Sequence, residues 1–132
     1  MVAKAVLKRN ILKALMGVNT EDLFRARQVS IVGAFLVASA NNGAHAANEL
    51  SALFIAIGQD VANIPEPHAG VSYHQLLPNG DHYWSMTLTS LIVATYGGGT
   101  NLATQRECLD MLGCAGKGKV NKFAKICADG LE

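Results

Sequence analysis

Leu91-Ile92-Val93-Ala94-Thr95-Tyr96-Gly97-Gly98-Gly99-Thr100-Asn101-Leu102-Ala103-Thr104-Gln105-Arg106-Glu107 passes from an apolar run through three glycines into a helical pattern. The run 91–96 predicts a strand. Thr100 or Asn101 predicts the cap of a helix reaching Leu112. Three consecutive residues without a Cβ let the backbone approach a ligand closely. The N–H groups opening the next helix lack intrahelical partners and favour an anion. The same residues also suit a tight structural turn, because neither GxGxxG nor a GK[ST] ending is present.

Upstream, residues 44–57 predict a helix with the apolar stripe Leu50, Leu53, Phe54 and Ile57. Gly58 suits its C-cap, which leaves Asp60 just past the helix end. His45, Asn48 and Ser51 step by three along a separate, polar face. Asn41-Asn42-Gly43 is turn chemistry. Before it, Asn19-Thr20 caps a helix running to about Ser39, with Glu21 and Asp22 favouring its dipole. The second half of that helix is apolar nearly all round, which predicts burial. Residues 10–16 predict a short helix ended by Gly17, and 2–7 a strand.

Downstream, Pro65 and Pro67 mark a loop. Residues 71–77 and 82–88 predict strands joined by Pro78-Asn79-Gly80-Asp81, where Asn-Gly suits a two-residue hairpin. In that register Leu77 faces His82 and His74 faces Ser85. The two imidazoles then fall on opposite faces and make no metal pair. A last helix is expected over 120–128. The whole reads as α+β: a helical layer packed on a small sheet with a hairpin.

The chain has 132 residues, enough for one ordinary domain. Its apolar fraction of 50% is high for that length, so apolar surface is expected to remain outside or to face a second subunit or a missing domain. With Lys plus Arg at 11 and Asp plus Glu at 10, the net charge is +1, and no large field attracts nucleic acid. Lys117, Lys119, Lys122 and Lys125 read as a solvated face. Cys108, Cys114 and Cys127 form no CxxC, which suits a reduced cytoplasmic protein without a zinc site. No apolar run is long enough to span a bilayer.

Beside the glycine run, Asp60 and Asn48 are candidates for chemistry, and His45 and Cys108 are set aside. Asp60 could sit in a partly dry pocket and hold a lysine in its charged form, or lie in a solvated loop. Asn48 could clamp a carbonyl or hydroxyl, or bond to backbone in the core. His45 reads as a satisfied, partly buried histidine. Cys108 reads as core, with no base near it.

The ordered segments Val2-Ala3-Lys4-Ala5-Val6, His45-Ala46-Ala47-Asn48, Gly58-Gln59-Asp60, Tyr96 to Leu102 and Cys108 to Gly113 resemble the C-terminal part of 3-hydroxy-3-methylglutaryl-coenzyme A reductases. The resemblance covers nearly the whole chain. It implies that residues 1–132 are part of that family's large, substrate-binding domain. It implies reduction of 3-hydroxy-3-methylglutaryl-CoA to mevalonate and coenzyme A with two NADPH (or NADH) and no metal, by a homodimer. Asp60 matches the aspartate that supports the family's catalytic lysine. Asn48 matches an amide in contact with substrate. Gly97, Gly98, Gly99 and Thr100 match the glycine-rich loop near the cofactor.

Departures accompany the match. Val29-Ser30 stands where many members have Lys-Asn, Gly43 replaces an asparagine, and Val93-Ala94-Thr95-Tyr96 replaces the usual lead into the glycines. The family's glutamate segment, its DAMGMN loop with the lysine, and its histidine in a Gly-His-Leu context have no counterpart. The expectation is a reductase fragment that is inactive alone. Two other readings stay open: a non-catalytic dimerisation module on this fold, and a small anion-binding α+β domain.

Overall fold

The computed structural model describes residues 1–39 and 46–130. His45 and the expected turn at Asn41-Asn42-Gly43 lie outside the described residues. The chain divides into two compact units: one of Met1, His45–His68 and Leu88–Glu132, the other of Val2–Ala44 and Ala69–Thr87. The α+β reading holds, with a small antiparallel sheet and five α-helices among the described residues.

In the sheet unit, β1 (Val2–Leu7), β2 (Val71–Leu76) and β3 (His82–Thr87) pair antiparallel in the order β1-β3-β2. Alternation decides which side chains go inward. Ala3, Ser72 and Met86 share one rung and are all buried, whereas Val2, Val6, Val71 and Tyr73 are exposed. After β1 comes α1 (Arg9–Ile11), which widens into a π turn at Leu12–Met16 and stops at Gly17. Asp81 ties the hairpin to this corner. Its carboxylate accepts from Arg9 N at 3.0 Å, Lys8 Nζ at 3.3 Å and Asn79 Nδ2 at 3.0 Å. The Arg9 amide above all holds that carboxyl below its usual range.

Helix α2 (Thr20–Leu36) lies against β2. Its buried residues are Thr20 and Ala34, with Leu23, Phe24, Arg27 and Ile31 partly covered along the same stripe. Burial of the helix's second half does not follow: Val29, Val32, Phe35 and Leu36 are exposed. A three-stranded sheet is wide enough to cover one stripe of a helix, so the other faces keep their apolar side chains in solvent.

The hairpin register also differs from expectation. Leu76, not Leu77, faces His82, and His74 faces Trp84. Leu77 N donates to Asp81 O at 2.9 Å, so the loop holds three residues, with Gly80 at φ +82° closing it. One residue of slip turns every side chain over. His74 and His82 therefore share a face, Nδ1 to Nε2 at 3.0 Å, with ring centroids 5.3 Å apart. One nitrogen donates to the other, and Phe24 packs edge-on to His82.

Burial lowers both imidazoles. His74 is pushed down to about 4 by burial, then by the charges of His82 and Arg27; His82 moves down by burial and Arg27. The unfolded chain binds a proton at each ring near pH 6.5, and the folded His74 resists until about pH 4. Stability is thus full above pH 6.5 and falls as pH drops through that window. His74→Gln is expected to remove about 1–2 kcal/mol of this acid-induced loss, after discounting for solvent at a half-covered ring. Urea titrations across the window measure it, and an unchanged slope refutes it.

The helical unit is built from α3 (Ala46–Ala56), α4 (Ala103–Met111) and α5 (Val120–Asp129). Leu109, Cys114, Phe123 and Cys127 are fully buried, packed by Leu53, Ile57, Leu91, Val93 and Ile126. Burial, with Cys114 beside it, pushes the Cys127 thiol up to about 11. Cys108 is not core: it is partly exposed, its Sγ 3.8 Å from Ala56 O. It sits one step around α4 from Leu109, off the buried stripe. Lys122 is more than a solvated charge. Its Nζ donates to Leu112 O at 2.7 Å, where a cation suits the end of α4. Among the described residues no helix is long and apolar enough to cross a membrane, and no three potential metal ligands gather.

Residues 91–96 form no strand. Leu91 and Val93 point into the core, as a strand's would. The backbone bonds, however, go elsewhere than a ladder. Ala94 exchanges two bonds with the Gln59 amide, and Thr95 O accepts from Gly116 N at 2.7 Å.

Candidate functional site

Helix α3 ends as its sequence dictates. Gly58 takes φ +68°, and Gln59 N reaches back to Phe54 O at 2.8 Å, closing a Schellman cap. The chain then turns sharply. Asp60 Oδ1 accepts from Ala62 N at 3.0 Å, capping the 3₁₀ turn Val61–Asn63. Asp60 is exposed rather than enclosed in a dry pocket. Its position is nonetheless fixed at both ends, by the helix cap before it and the turn after it.

The glycine loop is a 3₁₀ turn, Gly98–Asn101, not the direct opening of a helix. Thr100 does not cap α4. It is buried, and its Oγ1 donates to Gly97 O at 2.7 Å. Thr100 N and Leu102 N are engaged within the turn, so an anion there would use other donors. Helix α4 starts at Ala103 without a side-chain cap. The extra 3₁₀ turn arises because Gly97 and Gly98 at φ +79° and +54° bend the chain before it can wind. A Cβ on either glycine would meet nothing within 4 Å, so their outer side is open.

These two corners share a cavity of about 330 Å³, lined by Gly58, Gln59, Asp60, Gly99, Thr100 and Gln105 among others. Asp60 and the glycine loop thus come together across about forty residues of sequence. Asn48 does not line this cavity; it is exposed on α3. Gln59 and Gln105 were not singled out from sequence. Gln59 was visible as the middle residue of the Gly58-Gln59-Asp60 segment that carries the resemblance, and Gln105 only as a polar residue in the first turn of α4.

Residues 1–131 match the family model of hydroxymethylglutaryl-coenzyme A reductase. The chain belongs to this reductase family. The 3-hydroxy-3-methylglutaryl-coenzyme A reductase of Pyrococcus horikoshii is 37% identical over 133 residues, covering 96% of this chain and 32% of that protein. The Methanocaldococcus jannaschii reductase is 42% identical over 100 residues, covering 76% of this chain and 24% of that protein. Reductase 3 of Oryza sativa is 37% identical over 118 residues, covering 87% and 21%. The chain spans about a third or less of the length of these curated relatives.

In this reductase-family fold Gly58 packs directly against α4. A Cβ there would stand 3.0 Å from Gln105 Cα and 3.6 Å from Cys108 Sγ. Gly58→Val adds left-handed strain to that backbone contact and is expected to cost about 2–3 kcal/mol. It should also push α4 away from α3. A urea midpoint equal to wild type would show that the two helices are not in contact there.

Proposed function

We propose that this chain supplies part of an active site that reduces 3-hydroxy-3-methylglutaryl-CoA to mevalonate and coenzyme A with two NADPH (NADH being the alternative donor). One observation carries the reading: Asp60 and Gly99-Thr100 line one cavity. Hydride reduction of a thioester builds negative charge on a carbonyl oxygen, which a fixed cation must meet. Asp60 is the group that keeps such a cation charged and oriented. Gly97, Gly98, Gly99 and Thr100 form the cofactor side, where the three glycines, lacking Cβ atoms, give the dinucleotide room and Thr100 braces the turn from within. The cavity's volume is at the low end for ligand sites, which suits one end of a dinucleotide. Asn48, exposed on α3, is assigned a substrate amide contact outside this cavity. The cofactor itself would bring the hydride. The lysine, glutamate and histidine of the reaction come from polypeptide other than the matched segments.

The reading includes a homodimer, supported by the exposed Val29, Val32, Phe35 and Leu36 on α2. It also includes a cytoplasmic location, which the three free cysteines suit. Fluorescence titration of the 132-residue chain with NADPH is the test. Wild type is expected to bind and Gly98→Val to bind at least tenfold more weakly, since a Val side chain would enter the open side of the loop. Equal affinities remove the reading. The chain alone is expected to show no NADPH oxidation with the thioester, because catalytic groups act as a unit. Turnover by it would overturn the residue assignment.

A further inference from the structure

Gln59 lies between two fixed points, the Gly58 cap and the Asp60 cap. Its side chain reaches 35 residues along the sequence to Ala94. Nε2 donates to Ala94 O at 3.1 Å, and Oε1 accepts from Ala94 N at 2.8 Å. A primary amide here replaces the neighbouring strand that residues 91–96 lack. On the other side, Thr95 Oγ1 donates to Gly116 O at 3.0 Å and Gly116 N donates to Thr95 O. The backbone is therefore held from both sides just before it turns at Gly97. From Ala94 the chain has two residues before Gly97, so the direction in which it enters the glycine loop is set at this clamp.

We propose that Gln59 is a positioning residue that holds the Asp60 turn and the Gly97–Thr100 loop as one unit. The proposal rests on the reading of this cavity as the nucleotide site. Few side chains can replace it. Glutamine carries donor and acceptor at the required reach. Asparagine is one methylene short, methionine has neither group in usable form, and ionised glutamate has no donor for Ala94 O. Protonated glutamate, by contrast, presents one O–H and one carbonyl in nearly the same shape as the amide.

That difference makes the test. Gln59→Met and Gln59→Glu are made in the 132-residue chain, with NADP⁺ as probe because it survives acid. Two bonds are lost in Gln59→Met, so NADP⁺ affinity is expected to fall about tenfold or more. The Ala94 amide should then exchange with solvent at least tenfold faster. Gln59→Glu should be as weak as Gln59→Met near pH 7.5 and should recover wild-type affinity and Ala94 protection near pH 5, since a carboxylate facing a carbonyl has a raised pKa. Wild type measured at both pH values removes any general acid effect. A filler role for the side chain predicts no such recovery. If Gln59→Glu behaves alike at both pH values, or if Ala94 exchange is unchanged in Gln59→Met, the proposal is wrong. If wild type binds no NADP⁺, the nucleotide reading fails by itself, and Ala94 exchange with its pH-dependent rescue still decides the clamp.

Discussion

Asp60→Asn, in a reductase that carries this segment together with its lysine, glutamate and histidine partners, is expected to lower kcat about 100-fold or more. KM and the melting temperature should stay near wild type. Asparagine keeps the oxygen that accepts from Ala62 N, so the cap of the Val61–Asn63 turn survives. What disappears is the negative charge. Without it, a lysine close to the growing oxyanion loses the partner that holds it protonated and aimed. The loss belongs to the transition state, so it falls on kcat. Asp60→Ala removes charge and cap together and should add a stability cost of about 1 kcal/mol. Mevalonate formation at the wild-type rate by Asp60→Asn would end the assignment of this aspartate. Loss of activity only in Asp60→Ala, with a matching loss of stability, would make Asp60 a capping residue.

Phe123→Ala is expected to destabilise the helical unit by about 3–5 kcal/mol. Phe123 is fully buried among Leu109, Cys114 and Cys127, so truncation leaves a cavity where α5 meets α4. The expected loss is a large part of the roughly 5–15 kcal/mol available to a domain. The chain's two units allow a local measurement. Cys127 is buried in the helical unit, and Trp84 lies on β3 in the other. Thiol labelling of Cys127 should accelerate by two orders of magnitude or more, in line with about 1.4 kcal/mol per factor of ten. Met111→Ala, at a side chain 85% exposed, should stay within about 0.5 kcal/mol of wild type. A protected Cys127 thiol in Phe123→Ala would show that this core is not where the unit's stability resides.

Much of the local structure was legible in the residues. The apolar stripe 50, 53, 54 and 57 predicted α3, and Gly58 ended it with the expected left-handed cap. The hairpin strands and the last helix also follow from pattern. Two errors share one cause. Residues 91–96 have a strand's composition and point inward as a strand does, but among the described residues no strand pairs with them; a glutamine and a loop do. Asn79-Gly80 promised a two-residue turn, and the three-residue loop moved the register by one. In both cases the answer depended on which distant backbone groups were available. The exposed half of α2 shows the converse. Hydrophobicity states what a helix would bury, and the width of its neighbour sets what it does bury.

Periodicity, turn residues and ordered motifs act within a few residues of themselves, so the chain's own letters determined its helices, its hairpin and its reductase kinship, although the side-chain caps expected at Asn19 and at Thr100 or Asn101 do not form. The meeting of Asp60 with Gly99 and Thr100, the facing of His74 and His82, and the grip of Gln59 on Ala94 were decided only in three dimensions. Each of these joins residues that no local preference links. Register and side-chain reach across a folded unit are properties of the packed chain, and they set the geometry from which any chemistry here must start.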